Sequence, residues 1–155
     1  MSMSNRPKSG RAFAVAGALL AGLMGGLVTA APHATAAMPY CNAAWEKTSL
    51  PHPSTSYASI PLYDTASGSG TTDCVMAQGS SGAGVRALQK SLNGCYGAGL
   101  ALDGAFGAAT REALRSAQSR MGAVADGEYG PETRGKMSWG WYSIETGARV
   151  KCARL

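Results

Sequence analysis

Few side chains in this 155-residue sequence could carry chemistry. Of the two histidines, His33 lies in an N-terminal stretch that reads as a removable leader, which leaves His52. A hydrolytic zinc centre takes about three protein ligands, commonly histidines, and His52 alone does not supply them. Glu112, Glu128, Glu132 and Glu145 are the carboxylates on which a glycosidic hydrolysis would draw. That reaction needs two of them roughly 5–9.5 Å apart, one with a raised pKa, and none stands in a recognisable catalytic frame. Cys41, Cys74, Cys95 and Cys152 make an even set with no CxxC pair. In a small exported chain such a set reads as two disulfides, which removes the thiols as nucleophiles and as metal ligands. The expectation is a non-enzymatic chain with no cofactor and no metal.

The residues that repeat say more. DGAFGAATR begins at Asp103 and DGEYGPETR at Asp126, 23 residues later, and the copies agree at Asp, Gly, aromatic, Gly, Thr and Arg. Asp-Gly makes a tight turn because glycine takes positive φ without penalty. Phe106 or Tyr129 then supplies a core anchor, and Gly107 or Gly130 opens a helix with Thr110 or Thr133 in its first turn. The phrase is a turn, an anchor and a helix start, and any binding would be built on that frame.

Three helices must position it. Val85, Leu88 and Leu92 mark one helical face behind a Ser81 N-cap, and Asn93-Gly94 ends it. Ala113, Leu114, Ala117 and Met121 mark a second helix after Gly107, stopped by Gly122. A third starts at Gly130-Pro131, where proline suits the first helical position, with Met137 and Trp139 towards its end. Residues 140–155 read as an irregular tail or a short strand pair. Residues 38–75 are rich in Ser, Thr and Pro. There Tyr57–Tyr63 could be extended, but Pro61 argues against a central strand, and Ala66–Thr72 reads as a flexible linker. The expected fold is all-α: a small three-helix bundle over residues 76–139, with irregular, disulfide-tethered extensions on both sides.

The first 37 residues read as a signal peptide. Arg6, Lys8 and Arg11 precede an apolar run from Ala12 to Ala30, and Ala34-Thr35-Ala36 offers small residues for cleavage near Ala37, with Val28-Thr29-Ala30 as a second site. The run is mostly Ala and Gly, which favours cleavage over a membrane anchor. Its removal leaves eleven basic against nine acidic residues and no Lys/Arg run of the kind that marks a nucleic-acid surface. A secreted protein, extracellular or attached to the wall, without membrane or nucleic-acid partner, is therefore expected. Three disulfide pairings are open. Cys74–Cys152 with Cys41–Cys95 is favoured because the first would tie both ends of the domain together.

The run from Gly79 to Met137 resembles the peptidoglycan-binding domain family type 1. The ordered set is Gly79-Ser80, Val85, Leu88, Gln89, Leu92, Tyr96, Asp103, Gly104, Phe106, Gly107, Thr110, Gln118, Asp126, Gly127, Gly130, Pro131 and Thr133. It covers about 60 of the roughly 118 residues beyond the leader. Two departures stand out: Cys95 replaces the family's usual Gly before Tyr96, and Ala117 its usual Phe before Gln118. The first suggests an added disulfide. The second removes a core aromatic, whose space Tyr63 or Trp141 would fill. The Ala/Gly-rich leader and the Cys-Tyr variant also resemble stand-alone secreted proteins of actinobacteria.

The resemblance implies non-covalent binding of cell-wall peptidoglycan, at its glycan strand or stem peptide, in a shallow groove between helices. Arg86, Gln89, Arg111 and Tyr129 are the candidate ligand-binding residues, with Thr110 and Thr133 behind them. The alternative is a protein-interaction or inhibitor module on the same fold, with an unidentified protein partner. An exposed Trp139–Tyr142 patch would favour that alternative.

Overall fold

The helices lie close to where apolar spacing puts them. The computed structural model describes residues 37–48 and 55–155. The signal-peptide reading and His52 fall outside these residues. Helix α1 spans Ala83–Ser91, α2 Ala108–Met121 and α3 Pro131–Lys136. Val85, Leu88, Leu92 and Leu114 have no solvent exposure, as the helical spacing requires. Gly122 stops α2 in the left-handed conformation and Pro131 opens α3. Two ends differ from expectation. Helix α1 is entered from Gly82 rather than Ser81, and it runs on through a π-helical turn, Leu92–Tyr96, to Gly97. Asn93 does not end the helix, because its side chain pins the next loop: its amide donates to the Leu100 carbonyl at 2.8 Å and accepts from the Leu100 N–H at 2.7 Å.

The all-α expectation is overturned. Both extensions fold, and together they build a five-stranded antiparallel sheet: β1 Ala43–Thr48, β2 Ser56–Asp64, β3 Gly70–Thr71, β4 Trp139–Ser143 and β5 Arg149–Ala153. The order is β1-β2-β4-β5, with β3 against the far end of β2. The bundle is therefore a helical layer on a sheet, and Ala36–Leu155 is one compact unit. The Ser/Thr/Pro-rich composition hid β2, where Ser56, Ala58 and Ile60 are buried in alternation. Trp139, read as the end of the third helix, instead starts β4.

Pro61 sits within β2 after all, and the register shows how. Along β2, strand β4 pairs only with Ser56 and Tyr57, and β3 only with Tyr63 and Asp64. The Leu62 carbonyl accepts the Asn42 N–H at 3.1 Å. Because peptide groups alternate along a strand, Leu62 faces β1 and the Pro61 nitrogen faces the gap between β4 and β3. No ladder bond is lost where no strand lies opposite. The β2–β4 joint is held from the helical side by Lys90, whose ammonium lies 3.9 Å from the Tyr142 ring centre and donates to the Tyr57 hydroxyl at 3.1 Å. The Tyr142 hydroxyl in turn donates to the Lys90 carbonyl at 3.1 Å.

The favoured cysteine pairing is also overturned: the bridges are Cys41–Cys74 and Cys95–Cys152. The sheet explains both. Tyr40 and Val75 run as a parallel bridge, with the Cys41 N–H on the Val75 carbonyl at 3.0 Å, so Cys41 meets its near neighbour in space. The β4–β5 hairpin carries Cys152 back to Cys95 in the π turn. Digestion without reduction is expected to recover linked peptides for these two pairs alone. The loops close 33 and 57 residues. Replacing Cys95 and Cys152 together by Ala is expected to lower the unfolding free energy by about 4 kcal/mol in the chain-entropy model, read from urea unfolding.

Candidate functional site

The repeated phrase is held by a repeated side chain. Gln89 of α1 is 1% exposed, and its amide nitrogen donates to the Asp103 carboxylate at 2.8 Å, the Ala105 carbonyl at 3.1 Å and the Thr110 hydroxyl at 3.2 Å. Its amide oxygen accepts the Gly104 N–H at 3.0 Å. Gln118 of α2 repeats the pattern on the second copy. It donates to Asp126 at 2.9 Å, the Glu128 carbonyl at 2.8 Å and Thr133 at 3.0 Å, and it accepts the Gly127 N–H at 2.8 Å. Each helix thus holds the turn that launches the next. The glycine of each turn is required twice over. Gly127 has φ +74°, and a Cβ there would come within 2.7 Å of the Arg111 side chain and 3.0 Å of its carbonyl oxygen.

Both aromatics of the phrase are core anchors, 2% and 1% exposed. Their backbones pair with the strand-like entry to α1: Phe106 exchanges bonds with Gly79 and Ser80, and Tyr129 with Met76. The Tyr129 ring meets Trp139 edge-on at 6.3 Å. Burial pushes its hydroxyl pKa upward, an effect that nearby Arg134 partly offsets. The Ala105 N–H, followed by the Gln89 amide, holds the Asp103 carboxyl below its ordinary range.

A groove opens on the other face of α2. It encloses about 610 Å³ between α2 and the loop 97–101. Its floor is a stripe of small residues, Ala109, Ala113 and Ala117, one helical turn apart. Tyr96 forms one wall, with Glu112, Ser116 and Arg120 along the rim. Arg120 donates to the Tyr96 carbonyl at 3.0 Å, and its guanidinium lies 5.5 Å from the Tyr96 ring centre. The arrangement offers an aromatic edge, an apolar floor, a cation for a carboxylate and a carboxylate for an amine. Ala117 is 1% exposed at the base of the groove. Neither Tyr63, paired with Thr71, nor Trp141, beside Lys151, lines it.

The six predicted ligand residues fall elsewhere. Gln89, Thr110, Thr133 and Tyr129 are buried in the frame, whereas Arg86 and Arg111 are exposed. Arg111 lies over the second turn, its guanidinium 3.5 Å from the Asp126 carbonyl. None of the six lines the groove. The signal that could have found it is the alanine stripe at four-residue spacing, together with the loss of an aromatic at Ala117. Among the described residues, no three His, Cys, Asp or Glu side chains are placed to hold a metal ion, and no helix is long and apolar enough to cross a membrane.

Residues 81–137 match the model of a family described as putative peptidoglycan binding domain. Over 64 residues the chain is 47% identical to a zinc D-Ala-D-Ala carboxypeptidase of Streptomyces albus G, a match covering 40% of this chain and 25% of that protein. It is also similar to a peptidoglycan-binding protein from Clostridioides difficile solved in complex with glutamine hydroxamate. That likeness has 28% identity and a TM-score of 0.41, and it covers 58% of this chain and 54% of the other. The chain spans a quarter of the peptidase and about half of the solved structure.

Gln118→Ala would strand the buried Gly127 N–H and free the Asp126 turn. It is expected to cost about 2–4 kcal/mol in urea unfolding, against less than about 0.5 kcal/mol for the exposed neighbour Ser119→Ala. Because the Asp103 carboxyl is depressed in the fold, its contribution is present above the unfolded carboxylate pKa and lost as pH falls through the folded one. The melting-temperature gap between the parent protein and Asp103→Asn should therefore be constant near neutral pH and close below about pH 4.

Proposed function

Because residues 81–137 match the model of the putative peptidoglycan binding domain family, we propose that the chain is a secreted, non-catalytic module that holds cell-wall peptidoglycan in the groove between α2 and the 97–101 loop. The observation that carries the reading is the placement of Tyr96 and Arg120 over a floor of alanines. Sugar and stem-peptide units present flat apolar faces ringed by polar groups, and a concave apolar site with a few fixed polar groups suits them. Arg120 receives a stem-peptide carboxylate, Glu112 an amine, and Ser116 a hydroxyl or amide. Arg86 and Arg111, exposed beside the two Asp-Gly turns, serve as peripheral cationic contacts. Gln89, Thr110, Tyr129 and Thr133 serve binding by fixing α2 in place.

The domain and the two disulfides fit an extracellular or cell-wall location. The peptidase activity in the name of the Streptomyces relative belongs to a protein of which this chain matches a quarter. The aromatic tail lends no support to a protein-docking role, since Trp139, Trp141 and Tyr142 are buried at 0, 6 and 8% exposure. Binding at such an open groove is weak per site and is strengthened on a polymer by local rebinding.

The oxidised protein is expected to pellet with purified sacculi and not with cellulose, with no fragments released into the supernatant. Arg120→Ala and Ser116→Tyr should each reduce the pelleted fraction at least about fivefold, equivalent to about 1 kcal/mol, with unchanged circular dichroism. Pelleting unaffected by both variants would remove the groove from the reading. Absence of pelleting by the parent protein at moderate salt would overturn peptidoglycan binding itself and direct the search to protein partners.

A further inference from the structure

The N-terminal extension lies outside the segment matched to the family, yet it carries a second concave surface. Trp45 of the edge strand β1 is half exposed, whereas the other two tryptophans, Trp139 and Trp141, are buried. It borders a hollow of about 530 Å³ lined by Leu62, Asp64, Gly68, Gly70, Thr71 and Thr72. We propose that this hollow is a saccharide site, in which a pyranose ring of a glycan lies on Trp45 and its hydroxyls bond to Asp64 and Thr71.

The lining makes the case. Trp45 leaves a large aromatic face half in water on the edge strand β1, where a ligand can reach it. The Asp64 carboxylate has no partner among the described residues, yet its backbone is held rigidly: the Asn42 side chain accepts the Asp64 N–H at 2.8 Å and donates to its carbonyl at 3.0 Å. The Thr71 hydroxyl accepts the Asp73 N–H at 3.1 Å, which leaves its own proton to donate. An acceptor and a donor therefore line the same hollow as Trp45, whose strand pairs with β2 at Ile60 as Thr71 does at Tyr63. Gly70 lets β3 close on β2, since a Cβ there would fall 2.3 Å from the Leu62 side chain, while the surroundings of Gly68 are open at the mouth. The turn that carries Gly68 and Gly70 is held by its own hydroxyls: Thr65, Ser67 and Ser69 share mutual contacts of 2.9–3.2 Å.

Charge selects the occupant. No Lys or Arg lines the hollow, and its single charged group is a carboxylate. A stem peptide ending in carboxylates meets repulsion there, whereas a neutral sugar ring offers hydroxyl donors to Asp64 and a C–H face to Trp45. This site therefore reads the glycan, while the groove on α2, with Arg120, suits the peptide. It stands apart from the groove in sequence and in chemistry, so that either can fail alone.

Trp45 is its own reporter. Quenching of tryptophan emission by acrylamide should arise mainly from Trp45, as Trp139 and Trp141 are shielded. Titration of the oxidised protein with chitotetraose, and with glycan strands freed of peptide, is expected to protect this emission saturably. By calorimetry, Asp64→Asn should weaken both ligands at least fivefold and Trp45→Ala should abolish binding, while Arg120→Ala should leave it unchanged. Because both side chains are exposed, unchanged melting curves are expected for these variants. No protection by either saccharide, equal binding by Trp45→Ala, or protection by a free stem peptide instead of the sugars would each overturn the proposal. A protein that binds chitotetraose through Trp45 but not sacculi through Arg120 would keep this site and reject the groove.

Discussion

A buried glutamine amide on a tight turn is the interaction on which the rest of this structure depends. An Asp-Gly turn leaves peptide groups pointing inwards, and a buried N–H or carbonyl without a partner costs about 1–3 kcal/mol. Gln89 and Gln118 each satisfy two such groups, the glycine N–H and the following carbonyl, and hold the aspartate and threonine side chains of the same turn. Glutamine suits this task because one planar group offers both donors and acceptors. Aspartate caps its own turn as well: Asp103 accepts the Ala105 N–H, and Asp126 the Glu128 N–H. The same device used twice sets the position of each helix relative to the preceding one. Everything exposed, including the groove along α2, inherits its geometry from that chain of constraints.

The sheet does a different job. It closes the side of the helical layer that three short helices cannot cover, and it brings Ile60, Trp139 and Trp141 into the core. A helix of six residues such as α3 is too short to persist alone, and it rests between the second staple and the start of β4. Arg134 extends the tie across the molecule by its ion pair with Asp73 at 2.8 Å.

The helices and their turns were legible in the sequence because their signals are local. Apolar spacing, Asp-Gly and Gly-Pro are read within one or two turns of chain, and α1, α2 and α3 each begin and end near those marks. The sheet was not legible, because its signals are distant in sequence. Strand β2 contains Pro61 and polar residues, and only the absence of a strand opposite that proline makes it tolerable. Trp139 continued a helical pattern and gave no local sign of pairing with Ala153. The cysteine pairing followed the same logic, since it depends on strands that had not been foreseen. At the site, polar letters of the family pattern such as Gln89 and Thr110 drew attention although they are internal. Of the groove residues, Tyr96 stood in the ordered motif without a binding role, and Glu112 and Arg120 carried no motif of their own.

The joint between β2 and β4 brings Ser56 and Tyr57 against Ser143 and Tyr142, near opposite ends of the described chain. Contacts so distant in sequence form late, after the loop entropy between them has been overcome. A chain emerging from its N-terminus therefore cannot complete its core until almost the last strand is available. Until then β2 lacks its inner neighbour and Cys95 lacks its partner. The order of synthesis thus keeps the chain open until Arg149–Ala153 has emerged, and only then can Cys95 meet Cys152.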